Sequence, residues 1–133
     1  MLLKRLLFLS VALFSLAATA LGQNGGEKPL IDPKASITFK DTVIEFGIIT
    51  QKDSLVREIE FKNSGKVPFH FYDGVSECGC ATIILPKEDF KPGKKGKIKI
   101  VFKSPYQGAI EKKITLVSNA GIHYLVYRAY VKE

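Results

Sequence analysis

Leu55-Val56-Arg57-Glu58-Ile59-Glu60-Phe61-Lys62-Asn63 alternates through its second half, with Ile59 and Phe61 to one side and Glu58, Glu60 and Lys62 to the other. Successive side chains of an extended chain point to opposite faces, so this run is a strand with one face buried and one in water. Asn63-Ser64-Gly65-Lys66 follows with turn residues. The pattern then recurs down the chain. In Val67-Pro68-Phe69-His70-Phe71-Tyr72, Val67, Phe69 and Phe71 share a face opposite His70 and Tyr72. Ala81-Thr82-Ile83-Ile84-Leu85 reads as a short apolar strand, and Lys91-Pro92-Gly93-Lys94 carries Pro and Gly where a type II turn requires them. Ile98, Ile100 and Phe102 face inward while Lys97, Lys99 and Lys103 face outward, and Ile114 and Leu116 lie inside the next run. After the turn Asn119-Ala120-Gly121, the run from Ile122 to Val131 is apolar on both faces, which predicts the longest and most central strand.

No segment keeps a 3.6-residue period over three turns. About seven short strands with turn signals between them predict an all-β fold, an immunoglobulin-like antiparallel β-sandwich, with a small barrel as the alternative. The Cys…Trp…Cys core of true immunoglobulin domains is absent, because the chain has no Trp and its two cysteines are separated by one residue.

The N-terminus has a different character. Lys4 and Arg5 precede an apolar run from Leu6 to Leu16 that ends in small residues, the layout of a secretory signal peptide over residues 1–22. Cleavage is expected after Gly22, with Ala20 as the alternative. The run is shorter than the roughly 20 residues of a membrane-spanning helix. Residues 23–36, with Gly25, Gly26, Pro29 and Pro33, read as a flexible leader, and residues 37–133 as one domain. Losing Lys4 and Arg5 lowers the formal charge from +7 to +5. A periplasmic or secreted location follows from these features.

Phe46-Gly47, Ile59-Glu60-Phe61-Lys62-Asn63-Ser64-Gly65 with Pro68, Cys78-Gly79-Cys80-Ala81-Thr82, Lys91-Pro92-Gly93 leading into Ile98-Lys99-Ile100-Val101-Phe102, Gly108, and Ile114-Thr115-Leu116-Val117-Ser118-Asn119 occur in that order. Together they resemble a family of exported bacterial domains of unknown function, related to hydin-type immunoglobulin-like modules. The resemblance spans nearly all of the chain after the leader. It implies a seven-stranded sandwich with a binding or scaffolding role and no established reaction.

Cys78 and Cys80 admit several readings. In an extended segment they share a face with Cα atoms roughly 6.5 to 7 Å apart, at the edge of disulfide geometry. Closing so short a loop adds only about 1.6 kcal/mol on the chain-entropy estimate. A bend at Gly79 would allow the bond, and a bond so formed would suit redox exchange better than stapling. Free structural thiols are the plainest reading. For metal, a closed tetrahedral site would need Cys78, Cys80, His70 and His123 together, while two thiolates alone suit Cu(I). Lys87 and His70 are the nearby groups able to lower a thiol pKa.

Other candidates are weaker. His70 and His123 read as exposed, and Glu58 and Glu60 as solvated charges on an outer sheet face, with nothing to raise a carboxyl pKa for acid catalysis. Lys91, Lys94, Lys95, Lys97 and Lys99 form the densest charge feature, a candidate anion-binding stripe or a row that discourages edge-to-edge pairing. Exposed aromatics that would accompany nucleic-acid binding are not evident. The expectation is therefore a non-enzymatic exported module without a resident cofactor, binding an envelope protein or polysaccharide. A thiol-dependent redox or copper-binding protein acting through Cys78 and Cys80 is the alternative.

Overall fold

The computed structural model describes residues 30–133, so the expected signal peptide and the start of the leader lie outside the described residues. Eight strands follow one another: β1 (Ile37–Phe39), β2 (Val43–Thr50), β3 (Leu55–Asn63), β4 (Phe71–Ser76), β5 (Ala81–Ile84), β6 (Lys95–Phe102), β7 (Gly108–Ser118) and β8 (Gly121–Lys132). They form two four-stranded sheets, ordered β1-β3-β6-β5 and β2-β8-β7-β4. The sandwich expected from the sequence is what the chain adopts, and β8 is both the longest strand and an inner one.

The alternating residues build the core. Ile59 and Phe61 of β3 and Ile98, Ile100 and Phe102 of β6 face Ile114 and Leu116 of β7 and Leu125, Tyr127 and Val131 of β8, all buried. Each such side chain contributes about 1.5–3 kcal/mol by leaving water. Phe61 lies across from Gly96 in the β3–β6 register. A Cβ at Gly96 would come within 2.5 Å of the Phe61 and Phe90 rings, so a glycine is needed there for the aromatic cluster to close over the strand.

Three features depart from the sequence reading. First, β2 pairs with β8 in parallel, Val43 beside Val126 through Thr50 beside Lys132. The first strand begins in one sheet as β1, antiparallel to β3, and after the bend at residues 40–42 continues in the other as β2. It runs beside a β8 whose direction β7 already sets. Second, the strand expected over Val67–Tyr72 is displaced: β4 begins at Phe71, and Phe69 makes only an isolated bridge with Phe90. Third, the described end of the leader is attached. The Asp32 N–H donates to Asn119 O at 2.8 Å, the Lys66 N–H to Lys34 O at 2.9 Å and the Ser64 N–H to Ser36 O at 3.1 Å.

The displacement of β4 has a local cause in Asn63, which is buried. Its side-chain amide donates to Val67 O at 2.9 Å and Phe90 O at 2.7 Å, and its Oδ1 accepts the Gly65 N–H at 2.9 Å. That fixes residues 63–69 as a loop. The two turn readings further on hold: Lys94 N–H closes onto Lys91 O at 2.9 Å with Gly93 at φ 82°, and Asn119-Ala120 links Ser118 to Gly121.

Asn63→Ala leaves two carbonyls and one N–H without their side-chain partner, and the expected loss is about 2–4 kcal/mol in urea unfolding. Ser64→Ala, which removes hydroxyl contacts at the surface, is expected to cost under about 1 kcal/mol. Equal losses would show that the loop does not depend on the amide.

Candidate functional site

The β4–β5 connection carries both cysteines at the end of the sandwich opposite Asn63. Gly79 bends the segment, bringing the Cys78 and Cys80 Cα atoms to 5.3 Å, and the two residues form a disulfide. Of the readings left open by the sequence, the bond allowed by a bend at Gly79 is the one present, in place of the extended geometry and the free thiols. Glu77 anchors its start, the N–H donating to Lys113 O at 3.0 Å and the carboxylate accepting the Lys113 N–H at 2.8 Å. Cys80 O accepts the Lys103 N–H at 2.8 Å and anchors its end.

Beneath the loop stands Tyr127, fully buried and packed edge-on against Phe46 and obliquely against Phe102. Its hydroxyl is 2.9 Å from Ser76 Oγ, 3.0 Å from Cys78 Sγ and 3.4 Å from Cys80 Sγ. Burial pushes the phenol pKa above its ordinary 10.0, opposed by the Ser76 hydrogen bond and reinforced by the negative charge of Glu77. The phenol is thus held protonated beside both sulfurs. On the outside, Gly79 is open, and a shallow depression lined by Gln51, Ser54, Cys80, Thr82 and Lys103 leads to the loop. The sequence reading named Lys87 and His70 as thiol-tuning groups and missed Tyr127 and Lys103. The available signal was a tyrosine in the inward row of the last strand, whose hydroxyl must find a partner in the core.

The four residues that a closed metal site would need are not brought together. Among the described residues no three His, Cys, Asp or Glu side chains converge. His70 lies at the far end, 3.7 Å from Asp89 across a pocket shared with Asp32 and Tyr72, and is half-buried. His123 begins the inward row of β8, its ring against Phe39 at 5.8 Å and its Nε2 3.1 Å from Ser118 Oγ. Neither histidine is the exposed residue expected.

Lys95, Lys97 and Lys99 stand on the outer face of the β1-β3-β6-β5 sheet, with Lys91 and Lys94 in the turn before it. Lys97 pairs with Glu58 at 3.3 Å, Lys95 with Glu60 at 3.6 Å and Lys94 with Glu88 at 3.9 Å. The carboxylates set aside as solvated charges are the partners of the lysine stripe, so this face carries interleaved charge rather than a field of one sign.

The outer face of β2-β8-β7-β4 is different. Ile48 (68% exposed), Ile122 (57%), Tyr124 (57%) and Tyr130 (50%) stand in water there. Between them Arg128 donates from Nε to Glu111 at 2.7 Å and lies 3.6 Å from Glu45. Apolar side chains thus flank a charged centre.

Residues 37–131 match the family described as protein of unknown function (DUF1573), and the chain belongs to that family. No curated protein matches the sequence. Among solved structures it is similar to a protein of unknown function from Porphyromonas gingivalis, with TM-score 0.66 and 16% identity, over 78% of this chain and 51% of that one. The chain therefore spans about half the length of that protein. It is also similar to the ASH/PapD-like domain 7 of human CEP192, with TM-score 0.65 and 11% identity, over 80% of this chain and 92% of that one. A third likeness is to a chain of the CsuC–CsuE chaperone–tip adhesion subunit pre-assembly complex of Acinetobacter baumannii, with TM-score 0.54 and 12% identity, over 74% and 58% of the two chains. At these identities the likenesses establish the fold alone, an immunoglobulin-like β-sandwich.

His123 yields a prediction. Burial lowers its pKa below the ordinary 6.5, so the unfolded chain takes up the proton first and the folded state loses stability as pH falls below 6.5. Urea unfolding between pH 7.5 and 5 should show this decline, and His123→Gln should flatten it. An unchanged slope in the variant would place the titration elsewhere.

Proposed function

We propose that this domain is an exported, non-enzymatic binding or scaffolding module of the cell envelope, engaging a protein or polysaccharide through the outer face of β2-β8-β7-β4. The observation that carries this reading is the contrast between the two outer faces. One is a cross-strand pattern of Lys and Glu. The other presents Ile48, Ile122, Tyr124 and Tyr130 to water. Folding requires neither set, since the buried rows alone build the core. Aromatic and apolar side chains around a charged centre, with Arg128 among them, are the composition that interface cores favour. The likeness to a chain of a chaperone–adhesion subunit complex is in keeping with a binding role. Export rests on the N-terminal sequence, where Lys4, Arg5 and the apolar run have the layout of a signal peptide.

Two measurements test this. The mass of the chain recovered from the envelope is expected to begin at Gln23, and a product retaining residues 1–22 would refute processing. A photo-crosslinking side chain at position 124 or 48, but not at position 97, is expected to capture a heavier species in cells. Sensitivity of that species to protease or to glycosidase then separates protein from polysaccharide. Capture from position 97 alone would transfer the role to the charged face.

A further inference from the structure

We propose that the Cys78–Cys80 disulfide is a redox site that accepts two electrons from an external protein dithiol, with attack at Cys80, Cys78 as the leaving sulfur, and Tyr127 as the positioning residue beside it. This site lies at one end of the sandwich, apart from the sheet face to which binding is assigned.

Three observations carry the proposal. The bond encloses only a three-residue loop, and both ends of that loop are already anchored, Glu77 to the Lys113 backbone and Cys80 O to the Lys103 N–H. A bond that joins already anchored residues adds little as a staple, and its opening leaves the loop in place. The line of approach is narrow but defined: Cys80 is 8% exposed and Cys78 only partly buried, yet of the two it is Cys80 that lines the depression holding Lys103, whose positive charge favours an incoming thiolate. The leaving side is prepared from inside, where the Tyr127 hydroxyl lies 3.0 Å from Cys78 Sγ and 3.4 Å from Cys80 Sγ.

The step balances as follows. A thiolate of the partner dithiol attacks Cys80 Sγ, forming a mixed disulfide and breaking the Cys78–Cys80 bond, whose electron pair departs with Cys78 as a thiolate. The Tyr127 O–H donates its hydrogen bond to that thiolate while the Ser76 hydroxyl, 2.9 Å away, donates to the phenol oxygen. The partner's second thiolate then attacks its own first sulfur and releases Cys80. After protonation from water, the domain holds two thiols and the partner a disulfide; two electrons have passed from partner to domain, and the two protons taken from water match those the partner dithiol released on ionising.

The test uses the exported chain in its native state with dithiothreitol as the dithiol. Reduction is expected without denaturant, both thiols appearing by maleimide mass shift while the circular dichroism spectrum is unchanged. Reduction only after unfolding would overturn the proposal. With a labelled monothiol added to the oxidised domain and the mixture quenched in acid, peptide mass is expected to place the mixed disulfide at Cys80, with Cys78 as the free thiol, and a mixed disulfide at Cys78 alone would overturn the assigned direction. Tyr127→Phe removes the hydroxyl and keeps the ring. It is expected to slow native reduction about tenfold and to move the pH profile of Cys78 alkylation upward in the reduced protein. If Tyr127→Phe folds and neither quantity changes, the tyrosine has no part in the exchange. Should Tyr127→Phe fail to fold, Ser76→Ala, which withdraws only the backing hydroxyl, is expected to shift the same alkylation profile in the same direction, and no shift would overturn the relay.

Discussion

The buried side chain of Asn63 is the constraint on which one end of the molecule depends. Its amide reaches Val67 O and Phe90 O, its Oδ1 holds the Gly65 N–H, and its backbone continues the ladder to residues 93 and 94. Every polar group of the residue is used, which is the condition under which a buried amide stabilises rather than costs. Asn119 repeats the device nearby. It donates to Pro68 O at 2.8 Å, accepts the His70 N–H at 3.1 Å and receives Asp32 through its carbonyl. The two asparagines hold the 63–70 loop from both sides. They force Phe69 into its bridge with Phe90 and delay β4 until Phe71, so the aromatic cluster of Phe61, Phe69, Phe71 and Phe90 closes over Gly96.

The opposite end is organised by one phenol. Tyr127 places a polar tip in an otherwise apolar row, and the groups within its reach are Ser76 and the two sulfurs. Packing by Phe46 and Phe102 fixes the ring, and Glu77 fixes the loop that brings the sulfurs over it. The geometry is therefore set by tertiary contacts from β2, β4, β6, β7 and β8.

What could be read from the sequence follows from this division. Strands such as Ile98-Lys99-Ile100-Val101-Phe102 announce themselves because a period of two is local and needs no partner to be seen. The Pro92-Gly93 turn is likewise local. By contrast, Val67-Pro68-Phe69-His70-Phe71 has strand chemistry but yields its first half to a hydrogen-bonding amide four residues earlier and a carbonyl at Phe90. The pairing of Lys97 with Glu58 and of Lys95 with Glu60 depends on β3–β6 register, and the contact of Tyr127 with residues about 50 positions away depends on the whole sandwich. Cys78 and Cys80 were visible as a pair. Their bend was visible only as one option beside an extended segment, because a glycine permits a turn without requiring one.

The same reasoning explains why the two outer faces carry different meanings. Alternation fixes the inner row of every strand through burial, and the outer row is free to vary without loss of the core. On β3 and β6, the two inner strands of their sheet and so without a free edge to protect, that freedom is taken up by opposite charges across the strands, which add little stability. On β8 and its neighbours it is taken up by Ile122, Tyr124, Tyr130 and Ile48, each of which keeps half or more of its surface in water after folding. Such side chains lower the free energy of the system only when something covers them. For this reason the run from Ile122 to Val131, apolar on both faces, carries two separate patterns: its inner row specifies the sandwich, and its outer row leaves Ile122, Tyr124 and Tyr130 uncovered on the face to which binding is proposed.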